Sequence, residues 1–306
     1  MRNMKLILKR VCWGVVGLIG IGLIYYVLVA RIPEDHLSQD EIVAKYQYFK
    51  GFHDFKVTSR AKMMREFSFK SFDGEKVYGK VVFPNTNQES FPVLVGIHAM
   101  GRSYPRWFQS SLKGRPTVTH VDKITQAALQ KGFAVIAIDA RFHGKRKVKE
   151  KPLRSIWNDL HFFGNKSDYE NMIINTVIDN RLLIDWIVEQ PEFNSEEIHL
   201  AGYSMGGQVS LILAAIDGRV EDVVSIVPPF ISNSVASVSP LNLASLINDN
   251  RVLMIVGAYD DVASPEENRL VFDKIATTQK QLITYQADHI LPEEYVDQVA
   301  RWLSPF

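Results

Sequence analysis

HLAGYSMGGQVSLILAA, residues 199–215, places one serine between glycines, after a short apolar run and before an apolar segment typical of a helix. On a turn from strand to helix, a serine is held in a strained backbone conformation with its hydroxyl raised above the sheet. Gly202 and Gly206 suit such a turn, because side chains two residues to either side of the serine would crowd it. The stretch therefore predicts a nucleophile at Ser204.

The turn alone is weak evidence for a nucleophile, because a G-x-S-x-G pattern arises by chance in about one chain in ten of this length. The acid and the histidine that would act with the serine are stronger evidence. In the strand-turn-helix setting, the acid and then the histidine follow the serine along the chain. Of the eight histidines, only His289 follows Ser204. It comes shortly after the last strand-like run and before a closing helix, so we expect it on a loop at the carboxyl edge of the sheet.

The acid is selected by its position at a strand end. RVLMIVGAYDD, residues 251–261, contains a strand-like run, a glycine and then two aspartates. A carboxylate at the end of a strand can be buried and aimed at an imidazole, which favours Asp260. Asp261 stays an alternative that could instead cap the next turn, and Asp288 is a third candidate.

The rest of the chain predicts an α/β fold. EFSFKSFDGEKVYGKVVFP, from Glu66, alternates around Asp73-Gly74, which predicts a β-hairpin. Short apolar runs then recur at helix-length intervals, typical of parallel strands buried on both faces and joined by helical crossovers. The predicted architecture is a mainly parallel central sheet flanked by helices. The expected parallel strands are residues 93–97, 134–138, 198–201, 223–227, 252–256 and 282–285.

The first thirty residues predict a membrane anchor. Residues 11–30 are apolar and uncharged, follow four basic residues, and are about long enough to cross a hydrocarbon core of roughly 30 Å. A cleaved signal peptide ending at Ala30 is the alternative, although its apolar region would usually be about 7 to 15 residues. The basic residues before the span and the acids after it predict a cytoplasmic N-terminus. The main domain would then lie on the periplasmic or extracellular side.

Three segments follow from these patterns: an anchor over residues 1–30, a lead-in of one or two helices over 31–65, and a catalytic domain over 66–306. The formal net charge of +1, with no basic face or nucleic-acid module, gives no support to a nucleic-acid partner. Cys12 is the single cysteine, and no Cys/His cluster has zinc spacing, so we expect no structural metal. Residues 151–167 and 228–246 are expected to be irregular and to line the site.

Several of these motifs resemble the α/β-hydrolase superfamily, over about residues 66–306. The resemblance lies in GYSMGG, in the segment from Gly257 to Asp260 and in the late His289. VLVGIHAMGRS, residues 93–103, is similar to the family strand that ends in H-G-x-G. AVIAIDARFHGKR, residues 134–146, resembles a D-x-R-x-x-G segment of dienelactone-hydrolase-like, acetyl-xylan-esterase-like and prolyl-oligopeptidase-like branches.

The resemblance implies a Ser204, Asp260, His289 triad and an oxyanion hole, with no cofactor. The first oxyanion donor would be the N–H of Met205. The second would come from the 99–101 loop, with the N–H of Met100 as first choice and that of Ala99 as second. Ala99 stands where the family usually has glycine, and His98 is expected to organise this loop rather than act as a base.

These features predict a serine hydrolase acting on a small-molecule ester through an acyl-enzyme. A prolyl-oligopeptidase-like peptidase or amidase would use the same triad. A catalytically silent binding module is the alternative outside enzymology, since fold alone does not establish function. Trp157, Phe162, Phe163 and Phe230 are candidate contacts to an acyl or alcohol group.

Overall fold

The computed structural model of the chain describes residues 2–51, 54–61 and 63–303. Its helices are α1 (Arg2–Tyr25), α2 (Gln39–Ala44), α3 (Val121–Gln130), α4 (Leu153–Phe162), α5 (Ser167–Val188), α6 (Met205–Ile216), α7 (Pro240–Leu243), α8 (Pro265–Lys274) and α9 (Tyr295–Trp302). Its strands are β1 (Lys56–Ala61), β2 (Met64–Lys70), β3 (Lys76–Val82), β4 (Phe91–Ile97), β5 (Ser111–Leu112), β6 (Arg115–Pro116), β7 (Ala134–Ile138), β8 (Phe193–Tyr203), β9 (Asp222–Ile226), β10 (Arg251–Gly257) and β11 (Lys280–Tyr285).

Within these residues, nine strands form one sheet in the order β1-β2-β3-β7-β4-β8-β9-β10-β11. The pairs from β1 to β7 are antiparallel, and every later pair from β7 to β11 is parallel. The short strands β5 and β6 form a separate hairpin. Because parallel strands end at one edge of a sheet, the loops after β8, β10 and β11 meet there.

Strand β4 shows why the apolar runs are continuous rather than alternating. Val93, Val95 and Ile97 face a core shared with α5 and α6, whereas Leu94 faces a second core shared with α3 and α9. Each central strand is therefore buried on both faces. The expected α/β architecture is confirmed, with the hairpin at Asp73-Gly74 formed by β2 and β3 and Gly74 at a φ of +81°.

Two stretches differ from the expectation. In its described residues, the lead-in contains one helix, α2, which begins with a Ser38–Glu41 capping box. Strand β1 follows, which the sequence did not predict and which pairs antiparallel with β2. Side chains 56–59 are all exposed, so β1 has no alternation of buried and exposed residues by which the sequence could predict it. Its backbone hydrogen bonds to β2 hold it in the sheet. The sheet thus starts before Glu66.

The stretch 151–167 is not irregular, because α4 occupies most of it. Leu153, Ile156 and Leu160 lie three and four residues apart, which places them on one face of that helix, against the core. The stretch 228–246 contains the single turn of α7 between short 3-10 segments.

The N-terminal segment is helical throughout its described part. α1 continues into a π-helical turn, Tyr26–Ala30, and Val11–Ala30 is long and apolar enough to cross a membrane, with a mean hydropathy of 2.2. None of this window is buried within the protein, so it does not serve as a core helix.

Candidate active site

The serine of the opening motif lies at the junction of β8 and α6. Ser204 has φ 56° and ψ −118°, a conformation that costs a non-glycine residue about 1–3 kcal/mol and persists only where the surroundings impose it. Its N–H donates to the carbonyl of Ile226 on the neighbouring strand, at 2.8 Å. A Cβ at Gly202 would meet the carbonyl of Gly206, and one at Gly206 would meet that of Ile97. The two glycines thus allow the helix to lie close to the strands.

Three side chains meet at this edge of the sheet. The Ser204 hydroxyl lies 2.8 Å from Nε2 of His289, and Nδ1 of His289 lies 2.8 Å from Oδ2 of Asp260. A carboxylate only accepts, so Nδ1 carries the proton and Nε2 is free to accept from the serine. Asp260 is buried and its other oxygen accepts from the N–H of Val262, at 2.8 Å.

The other two acidic candidates lie elsewhere. Asp261 is exposed on the same loop. Asp288 is also exposed, and its Oδ1 accepts from the N–H of Ile290, at 2.8 Å, so it holds the local turn. Of the three aspartates considered, Asp260 is the one that contacts the imidazole.

The loops that carry Asp260 and His289 are joined by backbone contacts. The N–H of Tyr259 donates to the carbonyl of Ala287, at 2.9 Å. A Cβ on Gly257, at the end of β10, would collide with the carbonyls of Ala287 and Asp288. The glycine before the acid therefore lets the histidine loop cross directly over the strand end.

Tyr203 positions the histidine loop, and sequence reasoning missed it. Its hydroxyl donates to the carbonyl of His289, at 2.9 Å, and accepts from the N–H of Leu291, at 3.1 Å. Burial raises the pKa of Tyr203 to about 12, so the hydroxyl keeps the proton that it donates. The residue before the nucleophile thus holds the backbone on both sides of Ile290. No pattern in the sequence signals this contact between distant segments.

His98 holds the loop after β4. Its Nε2 accepts from the N–H of Ala140, at 3.0 Å, so its Nδ1 is the protonated nitrogen and donates to the carbonyl of Ala99, at 2.9 Å. The N–H of Arg102 donates to the same carbonyl, at 3.0 Å. Burial lowers the pKa of His98 to about 4, which keeps the ring neutral. Two donors thus fix the orientation of the peptide that joins Ala99 to Met100.

The segment 134–146 contains Ala140, whose N–H donates to His98. Arg141 and Arg146 are buried and both pair with the buried Asp179 on α5, with nitrogen–oxygen distances of 2.9 Å and 2.6 Å. Nearby carboxylates raise the pKa of Arg141 against the effect of burial, so the charge is retained. These two ion pairs hold the loop against α5, and the same loop carries the Ala140 N–H that donates to His98. The sequence did not identify Asp179, since a helical aspartate gives no sign of its partners.

A cavity of about 510 Å³ lies above the serine, within the usual size of a ligand pocket. Ser204, Met205 and Met100 form its floor, and most of its walls are apolar. Two of the four expected aromatic contacts, Trp157 and Phe230, line it. The remaining walls are Tyr26, Ala30, Arg31, Ile32, Leu160, His161, Tyr169, Pro229, Ile231, Ser232, Ser234, Val235 and Val262. The end of the N-terminal apolar segment thus contributes one wall.

Metal-binding geometry is not found around this site. Across the described ranges, no group of three or more His, Cys, Asp or Glu side chains is arranged to hold a metal ion. The residues that surround Ser204 are a hydrogen-bonded imidazole and mostly apolar side chains.

Comparison with known families agrees with this architecture. A family model described as alpha/beta hydrolase fold matches residues 112–246. This range is less than half of the chain, and it shares with that family the α/β-hydrolase fold. Ser204 lies within the matched range, and Asp260 and His289 follow it in the acid-then-histidine order of α/β-hydrolases. No curated protein significantly matches the chain.

Solved structures of esterases resemble most of this chain. Acetyl xylan esterase 1 from Thermoanaerobacterium sp. JW/SL YS485 is 19% identical, with a TM-score of 0.67, and the match covers 92% of this chain and 98% of that one. An acetyl xylan esterase from Paenibacillus sp. R4 is 16% identical, with a TM-score of 0.67 over 88% and 95%. A cold-adapted esterase from an Arctic intertidal metagenomic library is 18% identical, with a TM-score of 0.59 over 80% and 95%. At these identities, the likeness is one of fold.

Proposed function

We propose that this α/β-hydrolase is a membrane-anchored serine hydrolase that cleaves carboxylic esters. The observation that carries the proposal is the hydrogen-bonded series from Asp260 through His289 to Ser204, on a strained turn at the floor of an apolar cavity. The esterases among the similar structures support an ester as the scissile bond.

In the proposed reaction, Oγ of Ser204 attacks the ester carbonyl carbon while Nε2 of His289 takes the hydroxyl proton. The imidazolium passes this proton to the departing alcohol oxygen as the ester C–O bond breaks, which leaves an acyl group on Ser204. Water then attacks the acyl carbon, with His289 again as the base, and releases the acid. Asp260 keeps the imidazole in the required tautomer and stabilises the imidazolium.

The oxyanion of the tetrahedral intermediate is assigned to two backbone donors. Met205 is the first residue of α6, so its N–H is one of those that the helix leaves unpaired. In a trans peptide, the N–H of Met100 points opposite to the Ala99 carbonyl, which His98 and Arg102 hold. This orientation supports Met100 over Ala99 as the second donor. One such donor is typically worth about 2.7–4 kcal/mol in the transition state.

The N-terminal segment is assigned as an uncleaved anchor with the domain on the exoplasmic side. Its end lines the cavity and contacts the domain: the Tyr25 hydroxyl donates to the carbonyl of Phe162, at 2.7 Å. Cleavage after Ala30 would remove both contacts. The mass of the protein isolated from membranes checks retention. Labelling of a cysteine introduced on the surface of the domain, by an impermeant reagent in intact and in lysed cells, checks topology.

The activity is tested by labelling the full chain with a fluorophosphonate probe. Wild type is expected to react, whereas Ser204→Ala and His289→Ala are not. Ser232→Ala is the matched control, because Ser232 also lines the cavity but is not part of the hydrogen-bonded series from Asp260 to Ser204. This variant should label as wild type does. A folded wild type that stays unlabelled would refute the hydrolase proposal and support a silent binding module.

The acid and the bond type are tested by turnover. Asp260→Asn should lower kcat by about 10⁴, the loss seen when a triad loses its acid, while Asp261→Asn leaves kcat within about twofold. Equal losses at both positions would refute the assignment of Asp260. Paired ester and amide substrates of the same acyl group distinguish an esterase from a peptidase; faster amide cleavage would replace the ester proposal.

A further inference from the structure

The cavity above Ser204 adjoins the place where the anchor leaves the domain. Tyr26 and Ala30 come from the end of the apolar segment and Ile32 follows it, and they line the same cavity as Leu160 and Phe230. A substrate entering between the anchor and α4 would therefore pass along residues of the span itself. A soluble substrate would need no such route.

The end of the anchor is held against both sides of the cavity. On the α4 side, Gly164 lies beneath the carbonyl of Val29 so closely that a Cβ there would overlap it. On the other side, the N–H of Asp35 donates to the carbonyl of Asn233, at 2.9 Å, and the carboxylate of Asp35 pairs with Lys166. These contacts fix the distance between the membrane span and the cavity.

Aromatic side chains are exposed beside this junction. Trp157, within α4, is 50% exposed, and Phe162 and Phe163, at its end, are 54% and 56% exposed. Exposed apolar patches on soluble proteins mark interaction sites, and tryptophan and tyrosine concentrate where a protein meets the headgroup layer of a membrane. Trp157 and the two phenylalanines form such a patch beside the anchor end, of a kind suited to contact with a bilayer.

We propose that the substrate is a membrane lipid ester whose acyl chain enters the cavity from the bilayer, between the anchor end and α4. This inference rests on the proposed ester hydrolysis and names its substrate class. The apolar walls at Leu160, Phe230, Ile231 and Val235 surround the chain, and the ester carbonyl reaches Ser204 on the cavity floor. The alcohol portion stays towards the headgroup layer.

The position of the acyl chain is tested without turnover. Full-length Ser204→Ala is placed in palmitoyl-oleoyl phosphatidylcholine vesicles that contain a phosphatidylcholine with a diazirine at the end of one acyl chain. After irradiation, crosslinked peptides should include α4 and the loop around Phe230, besides the span. Crosslinks confined to Val11–Ala30 would overturn the inference.

The preference for a lipid is tested by comparing two substrates on the full chain in the same vesicles: a fluorogenic diacyl phospholipid and p-nitrophenyl acetate. Ile231→Asp places a carboxylate in the apolar wall, so we expect the ratio of lipid to acetate kcat/KM to fall by at least about tenfold. Leu270→Asp, an exposed position on α8 away from the cavity, is the matched control and should leave the ratio unchanged. An unchanged ratio in Ile231→Asp would overturn the inference.

The two proposals fail in different ways. If wild type reacts with the fluorophosphonate but the cavity peptides never crosslink, the lipid inference falls and ester hydrolysis stands. If wild type does not react with the fluorophosphonate, the hydrolysis proposal falls and takes the substrate assignment with it. Crosslinks in that case would identify the cavity as a lipid-binding site without chemistry.

Discussion

Replacing Tyr203 by phenylalanine tests how the histidine is held. The change keeps the ring, which packs edge-on near Tyr295 with centroids 6.0 Å apart, and removes only the hydroxyl. Two backbone groups lose their partner: the carbonyl of His289 and the N–H of Leu291.

The expected cost follows from the burial of these groups. The N–H of Leu291 is buried, so no water replaces its acceptor, and leaving it unpaired costs about 1–3 kcal/mol. The carbonyl of His289 is partly buried, so water restores part of its bond and its loss adds up to about 1 kcal/mol. We expect the free energy of unfolding to fall by about 1–4 kcal/mol. If about 1.4 kcal/mol of this displaces His289 in the transition state, kcat falls about tenfold.

The assay combines unfolding in detergent with the rate of fluorophosphonate labelling. Tyr259→Phe is the matched control, because its hydroxyl makes an exposed hydrogen bond to Gln286, and such a loss costs little. Tyr203→Phe should lose stability and labelling rate, and Tyr259→Phe neither. Wild-type stability together with a wild-type labelling rate in Tyr203→Phe would refute the assigned positioning role.

Three further changes test the strain, the loop crossing and the buried imidazole. Ser204→Gly removes the strain of a side chain at φ 56°, so its free energy of unfolding should be about 1 kcal/mol higher than that of Ser204→Ala. Thermal melting measures the difference, and equal stabilities would show that the turn stores no strain. Gly257→Ala pushes the His289 loop away and should lower stability by about 1–3 kcal/mol and slow fluorophosphonate labelling, whereas Gly218→Ala enters open space and should do neither. Since the folded pKa of His98 lies near 4, below its ordinary 6.5, its stabilising effect is complete above about pH 6.5 and is lost as the pH falls towards 4. His98→Asn should therefore flatten the dependence of melting temperature on pH in this window, and an unchanged slope would contradict the buried neutral ring.

Local sequence patterns were sufficient to predict most strands of the sheet. The central parallel strands, the hairpin at Asp73-Gly74 and the turn at Ser204 are each encoded within a few consecutive residues, as continuous apolar runs or as glycines at required positions. Strand β1 could not be predicted from the sequence, because its side chains 56–59 face solvent and it is held by the backbone ladder to β2. Helix α4 is hard to predict because Trp157 and Phe162 are apolar but exposed, so they obscure the helical spacing of the residues that face the core.

The candidate site divides in the same way. Ser204 is marked by its turn, and His289 is the one histidine that follows it in the sequence. Asp260 required a positional argument, since several aspartates follow the serine and only the folded chain shows which one contacts the imidazole. Met205 and Met100 stay assigned as oxyanion donors by proposal, with the peptide orientation at Ala99 as their support.

The sequence by itself determined the α/β class and the apolar N-terminal segment, because each is written in runs of neighbouring residues, and it determined Ser204 and His289 from a local turn and from their order along the chain. Only the tertiary structure decided that Tyr203 holds the histidine loop, that Asp179 anchors two buried arginines and that the end of the apolar segment forms a wall of the cavity. These contacts join positions tens to more than a hundred residues apart. Their partners meet only when the sheet closes, so no local pattern of hydrophobicity or turn residues records them.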